Sequence, residues 1–170
     1  MAYIPNEEIR QEFVQAVKHS GHREIAKLVK ESDELLRAVL SLNAEKAADA
    51  IEKIHSLSTA PTFYNNEQAL RSVIRFAFIS GMEHFKEIQE LPSGIGYADV
   101  VYLPKKKSFM PIIVVELKWN KGADDAIRQI KERNYPEVFE GYGSEVLLVG
   151  ISYDRADKKH SCVIEEWEKE

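Results

Sequence analysis

The chain has 170 residues and a formal net charge of −5, with 44% hydrophobic side chains, enough for a folded core and too many for a disordered chain. Its longest apolar run, Phe109 to Val115, is far short of the roughly 20 residues that span a bilayer, and the opening Met1-Ala2-Tyr3-Ile4-Pro5 lacks the pattern of a secretion signal. A single cysteine, Cys162, excludes an internal disulfide and any multi-cysteine metal site, so a cytoplasmic protein without membrane partners is expected.

In chain order, residues 6 to about 57 read as helical. Ile9, Phe13 and Val17 recur at helical spacing, Ile25 to Leu40 form a second periodic stretch, and Asn43 suits the N-cap of a third helix with Ala47, Ala50, Ile51 and Ile54 facing inward. Ser56 to Thr62, with Pro61, breaks the pattern. The expected division is a helical segment over 1–62 and a second domain over 63–170. A strong helix follows from Asn65 to Ser80, with Leu70, Val73, Ile74, Ala77 and Phe78 as its buried stripe and Gly81 as its stop. The period then changes to that of strands: Phe85–Leu91, a turn at Pro92–Gly96, Tyr97–Leu103 and Pro111–Trp119. Ala123–Arg133 is a helix, Glu145–Tyr153 a buried strand and Cys162–Trp167 an edge strand. Helix, three strands, helix and two strands make an α/β fold with helices packed on a central sheet, preceded by an all-helical segment.

Asp99, Glu116 and Lys118 form the constellation with chemical content. Alternation puts Glu116 and Lys118 on one face of a strand that otherwise reads Ile-Ile-Val-Val. An antiparallel hairpin with its tip between Lys107 and Ser108 sets Asp99 opposite Glu116. Like charges there are destabilising unless a cation lies between them, and hard oxygen donors favour Mg²⁺ or Mn²⁺. The competing reading is an ordinary salt bridge of Lys118 with Asp99 or Glu116.

Asp99 followed by Glu116-Leu117-Lys118 resembles the PD-(D/E)XK nuclease superfamily, whose fold is restriction-endonuclease-like. Asn65-Asn66-Glu67-Gln68, Glu90 to Asp99, Ile113 to Trp119, Ala126 to Lys131 with Tyr135, and Leu147 to Ile151 together resemble the C-terminal nuclease-like domain of a bacterial family whose longer members carry an N-terminal ATPase-like domain. Ile4 to Ile9 resembles the helical connector before it. Ala98 stands where the motif has proline. The resemblance implies a nuclease acting on DNA, or on RNA, with Mg²⁺ or Mn²⁺ held by Asp99, Glu116 and the backbone carbonyl of Leu117, and with Lys118 assisting the attacking water. It implies Glu67 as a further metal or metal-water ligand. The residue spacing places Glu67 on the buried stripe, where a carboxylate needs a partner; it reads equally as a first-turn acid on the helix dipole. Gln129 and Tyr135 resemble the Q-x(n)-Y helix motif of related nucleases. Gln129 lies at the edge of its helix's buried stripe, suited to orienting a phosphate or base or to being a surface glutamine.

Charge placement allows two partner classes. Lys105 to Arg133 carries a local +4 (Lys105, Lys106, Lys107, Lys118, Lys121, Arg128, Lys131 and Arg133 against Glu116, Asp124, Asp125 and Glu132), which suits a phosphate backbone or a solvated surface. The acidic tail from Glu165 to Glu170 and the net −5 suit a non-catalytic interaction module on the same fold, contacting an ATPase-like domain or another protein, and the leading helices could make a homodimer. His19 and His22 flank Gly21 without carboxylate support, Gly94-Ile95-Gly96 is a turn rather than a phosphate loop, His160 and Cys162 read as packing, and Trp119 and Trp167 read as core or rim more than as base-stacking platforms.

Overall fold

A computed structural model describes residues 23–58, 66–93, 96–105, 109–133, 139 and 145–167. Four helices are present among them: α1 (Arg23–Leu40), α2 (Ala44–Ser58), α3 (Glu67–Ala77) and α4 (Ala123–Glu132). The strands are β1 (Phe85–Ser93), β2 (Gly96–Pro104), β3 (Ile112–Trp119), β4 (Val146–Asp154) and β5 (Lys159–Glu166), with a 3-10 turn at Ile79–Glu83. The first expected helical stretch, with Ile9, Phe13 and Val17, lies outside the described residues, as do His19, His22, Lys106, Lys107 and Tyr135.

The five strands form one sheet in chain order. All neighbours are antiparallel except β3 and β4, which run parallel on either side of the crossover that holds α4. This is the expected helix, three strands, helix, two strands, preceded by helices. One face packs Val100, Tyr102, Ile113, Val115, Leu117, Val149 and Ile151 against α1, α2 and α3. The other packs Val101, Ile112, Val114 and Leu148 against Ile127 and Ile130 of α4. Burial on both faces explains why β3 and β4 read as continuous apolar runs.

Capping fixes the helix starts. Asn43 Oδ1 accepts from the backbone N–H of Lys46 at 3.0 Å, and Asn66 Oδ1 accepts from that of Ala69 at 2.9 Å. Apart from shifts of one or two residues, three boundaries differ from expectation. The Asn65–Ser80 helix ends at Ala77 and tightens into the 3-10 turn, so Gly81 lies within that turn, packed near Leu36 and Phe85, and does not stop the α-helix. β1 and β2 run into the turn expected at Pro92–Gly96, pairing as far as Ser93 and Gly96. β5 starts at Lys159, three residues early, because a tight turn with Lys158 at φ 54° lets Lys159 pair with Asp154.

The helical layer is tied to the edge strand as well as to the core. Glu52 of α2 accepts from the backbone N–H of His160 at 3.1 Å and sits 2.6 Å from His160 Nδ1. Burial holds His160 below the ordinary imidazole range despite the attraction of Glu52. Burial also pushes the Cys162 thiol up to about 12, which keeps it protonated near neutral pH. Among the described residues no helix is long and apolar enough to cross a membrane.

Candidate active site

The hairpin register is the expected one. Val100 pairs with Val115, Val101 with Val114 and Tyr102 with Ile113, which puts Asp99 and Glu116 at the next position along. The ladder between β2 and β3 stops there, while β3 continues beside β4 to Trp119. The two strands part, and the carboxylate of Asp99 fills the gap: its Oδ2 accepts from the backbone N–H of Leu117 at 2.9 Å. A side chain thus satisfies a donor that would otherwise face an open seam.

Both acids are buried, Asp99 at 8% exposure and Glu116 at 3%. Burial, and next the charge of Asp99, push the Glu116 carboxyl up to about 7, against the opposing pull of Lys118. Glu116 Oε1 is engaged by Lys118 Nζ at 3.3 Å and by Gln129 Nε2. Glu116 Oε2 is buried and has no hydrogen-bond partner among the described residues. Lys118 Nζ also donates to Gln129 Oε1 at 2.6 Å. Gln129 therefore bridges the two charged residues, and its amide orientation is set because an ammonium only donates and a carboxylate only accepts.

Gly150 explains how α4 brings Gln129 so close. It lies opposite Glu116 in the parallel ladder. A Cβ on Gly150 would strike the Ala123 carbonyl oxygen and lie 3.1 Å from Ala126 Cβ and 3.0 Å from Ile127 Cγ1. Only glycine lets the first turns of α4 rest directly on β4, and Gln129 then reaches the sheet within hydrogen-bond distance of Lys118.

The site also contains a cation that the sequence reading missed. Arg71 of α3 donates through Nη2 to Asp99 Oδ1 and through Nη1 to Glu90 Oε1 at 3.1 Å. Glu90 stands across from Asp99, where the β1–β2 pairing skips one position and Glu90 adopts φ 50°. Three carboxylates thus follow one another across β1, β2 and β3, with the guanidinium on the first two. The signal was available: Arg71 is one residue from Leu70 and three from Ile74, at the border of a buried stripe, where a long cation needs an acid within reach.

Glu67 requires a correction. It is exposed at the start of α3, off the buried stripe, and has no partner among the described residues. The stripe begins at Leu70, so the spacing that carried Glu67 inward runs past the point where the helix meets the sheet. The helix delivers Arg71 to Asp99 instead. The simple salt-bridge alternative is realised in its Glu116 form, since Lys118 pairs with Glu116, while the ion-pair partner of Asp99 is Arg71. In the basic window, Arg128 pairs with Asp125, Lys131 pairs with Glu165, and Lys105 donates to the Met82 carbonyl.

The donor set fits a hard divalent cation. Two adjacent acids, one with a buried oxygen that has no partner among the described residues, are what such an ion would complete, and none of the residues gathered around them is a cysteine or histidine.

Residues 65–167, more than half of the chain, match the family model described as the PD-(D/E)XK nuclease superfamily. No curated protein matches the chain.

Proposed function

The chain belongs to the PD-(D/E)XK nuclease superfamily, and from that premise we propose that it is a divalent-metal-dependent nuclease that hydrolyses phosphodiester bonds in DNA or RNA. The observation that carries the reading is the unpartnered, buried Oε2 of Glu116 beside Asp99 and Lys118. Asp99 and Glu116, with the Leu117 carbonyl, would hold Mg²⁺ or Mn²⁺. When bound, the ion polarises the scissile phosphate and acidifies the attacking water.

The remaining roles belong to side chains in place. Lys118, whose side chain is 13% exposed, has its Nζ fixed between Glu116 and Gln129 and offers a third N–H to the attacking water or to the developing charge on the phosphate. Gln129 is a positioning residue that holds the ammonium at the acids. Arg71 neutralises Asp99 through their ion pair and would give up that contact to a bound divalent ion. The proposed domain over 63–170 holds all of these residues, with Glu67 a peripheral candidate. In longer relatives an ATPase-like domain would precede it.

A second reading, a non-catalytic module on the same fold, is favoured by the Arg71–Asp99 ion pair, which completes the acids with the protein's own charge. Incubation with supercoiled plasmid, single-stranded DNA and RNA separates the two. The nuclease reading expects cleavage with Mg²⁺ or Mn²⁺, none with a chelator and none from Glu116→Gln. A protein that cleaves none of these substrates with either ion is the non-catalytic module.

A further inference from the structure

On the side of the sheet covered by the helical layer, a second group of potential ligands has no place in the mechanism above. Glu52 and His55 are three residues apart on α2, so they share one helix face. His160 of β5 meets them from the sheet, 108 residues away in sequence from Glu52. One ligand atom from each residue lies within 4.8 Å of the others. We propose that Glu52, His55 and His160 form a transition-metal site, selective for Zn²⁺ or a similar imidazole-preferring ion, that fastens the helical layer to the edge strand.

The chemistry differs from that of the acidic pair. Two imidazoles and one carboxylate match Zn²⁺, Co²⁺ or Ni²⁺ and are a poor match for Mg²⁺. Ligand atoms around a tetrahedral ion with bonds of about 2.1 Å sit roughly 3.4 Å apart. The widest spacing therefore closes by roughly 1.4 Å, and the direct Glu52–His160 Nδ1 hydrogen bond, 2.6 Å long, opens by roughly 0.8 Å to admit the ion, both within the reach of side-chain rotation. Much of the site is prepared. Glu52 already contacts His160 Nδ1 at 2.6 Å, and its bond to the His160 backbone N–H holds the carboxylate over the strand. Tyr153 packs on both rings, with centroids 5.7 Å from His55 and 4.8 Å from His160, which limits their rotation. The His160 side chain is fully buried, whereas that of Glu52 is 43% exposed, so an ion can enter from solvent past Glu52 and keep a water as its remaining ligand.

The test uses the full chain without an affinity tag, stripped by a chelator and titrated with Co²⁺. The expected result is the visible absorption of nitrogen-ligated, four- or five-coordinate Co²⁺, saturating at one ion per chain, bleached by Zn²⁺ and indifferent to excess Mg²⁺. His55→Ala and Glu52→Gln should each abolish it, with circular dichroism confirming the fold. His55→Gln, nearer in volume, repeats the test if truncation loosens α2. Asp99→Asn should leave the spectrum intact, which separates this site from the proposed catalytic one. Absence of the bands in the wild type, their survival in the His55 variants, or their loss in Asp99→Asn overturns the proposal.

Discussion

Glu116 and Gly150 face each other across the parallel β3–β4 pairing, and the missing side chain of the second sets the surroundings of the first. The backbone of α4 occupies the space a Cβ would need, and from that seat Gln129 reaches both Glu116 and Lys118. Gly150→Ala should lift the start of α4 from the sheet, at a cost of about 1–3 kcal/mol in stability. DNA cleavage should fall further than the melting temperature alone explains, because Lys118 loses its guide. Denaturant melts beside cleavage rates check this, and a Gly150→Ala protein with wild-type values for both contradicts the close seat.

The Glu116 carboxyl gives the apo protein a defined pH response. Its folded value, about 7, lies above the ordinary value near 4.5 because it is buried beside Asp99. Between those values the native state holds a proton that the unfolded chain has released, so its contribution to stability falls as pH rises through that window. The loss is on the order of 3 kcal/mol once both states are ionised. Glu116→Gln should be more stable than wild type at pH 8, with the advantage shrinking toward pH 5. Mn²⁺ should also bind more tightly as pH rises toward 7, because the ion competes with that proton. Urea melts of the two proteins at several pH values decide the matter, and parallel pH profiles contradict the shift.

Arg71 is the built-in counter-cation of Asp99, and removing it should separate structural from metal-binding roles. Arg71→Gln leaves a mostly buried carboxylate without its ion pair, so the apo protein should lose roughly 2–3 kcal/mol, about 5–10 °C in melting temperature for a chain of this size. The rise in melting temperature on adding Mn²⁺ should be larger than in wild type, because no guanidinium competes for Asp99. Differential scanning calorimetry with and without Mn²⁺ measures both. A destabilised variant that Mn²⁺ does not rescue assigns the pair a purely structural role.

Much of the architecture was legible because it is written in periodicity. Both faces of β3 and β4 are covered, so they read as unbroken apolar runs, and Asn43 announces a helix start through its own side chain. The hairpin register followed from a single assumption about its tip. Glu90 and Gly150 were not legible, and for Arg71 only the need for an acid could be read, not which acid meets it. Each matters through a partner from a different element: Arg71 through Asp99, Glu90 through the skipped pair opposite Asp99, and Gly150 through the Ala123 carbonyl. Glu67 failed for the opposite reason. Helical periodicity fixes direction around the axis and says nothing of where along the axis the covering sheet ends. His160 read as packing on an edge strand, since its partners Glu52 and His55 lie on a helix more than a hundred residues earlier.

The most direct measurement is the Mn²⁺-dependent cleavage rate of Lys118→Ala on plasmid DNA, with the metal-induced change in its melting temperature read from the same preparation. An ammonium is not a metal ligand, so the variant should keep the rise in melting temperature while its cleavage rate falls by roughly 10²–10⁴-fold. Cleavage at the wild-type rate by Lys118→Ala, or a wild-type protein whose melting temperature Mn²⁺ leaves unmoved, contradicts a metal-dependent nuclease built on Asp99, Glu116 and Lys118.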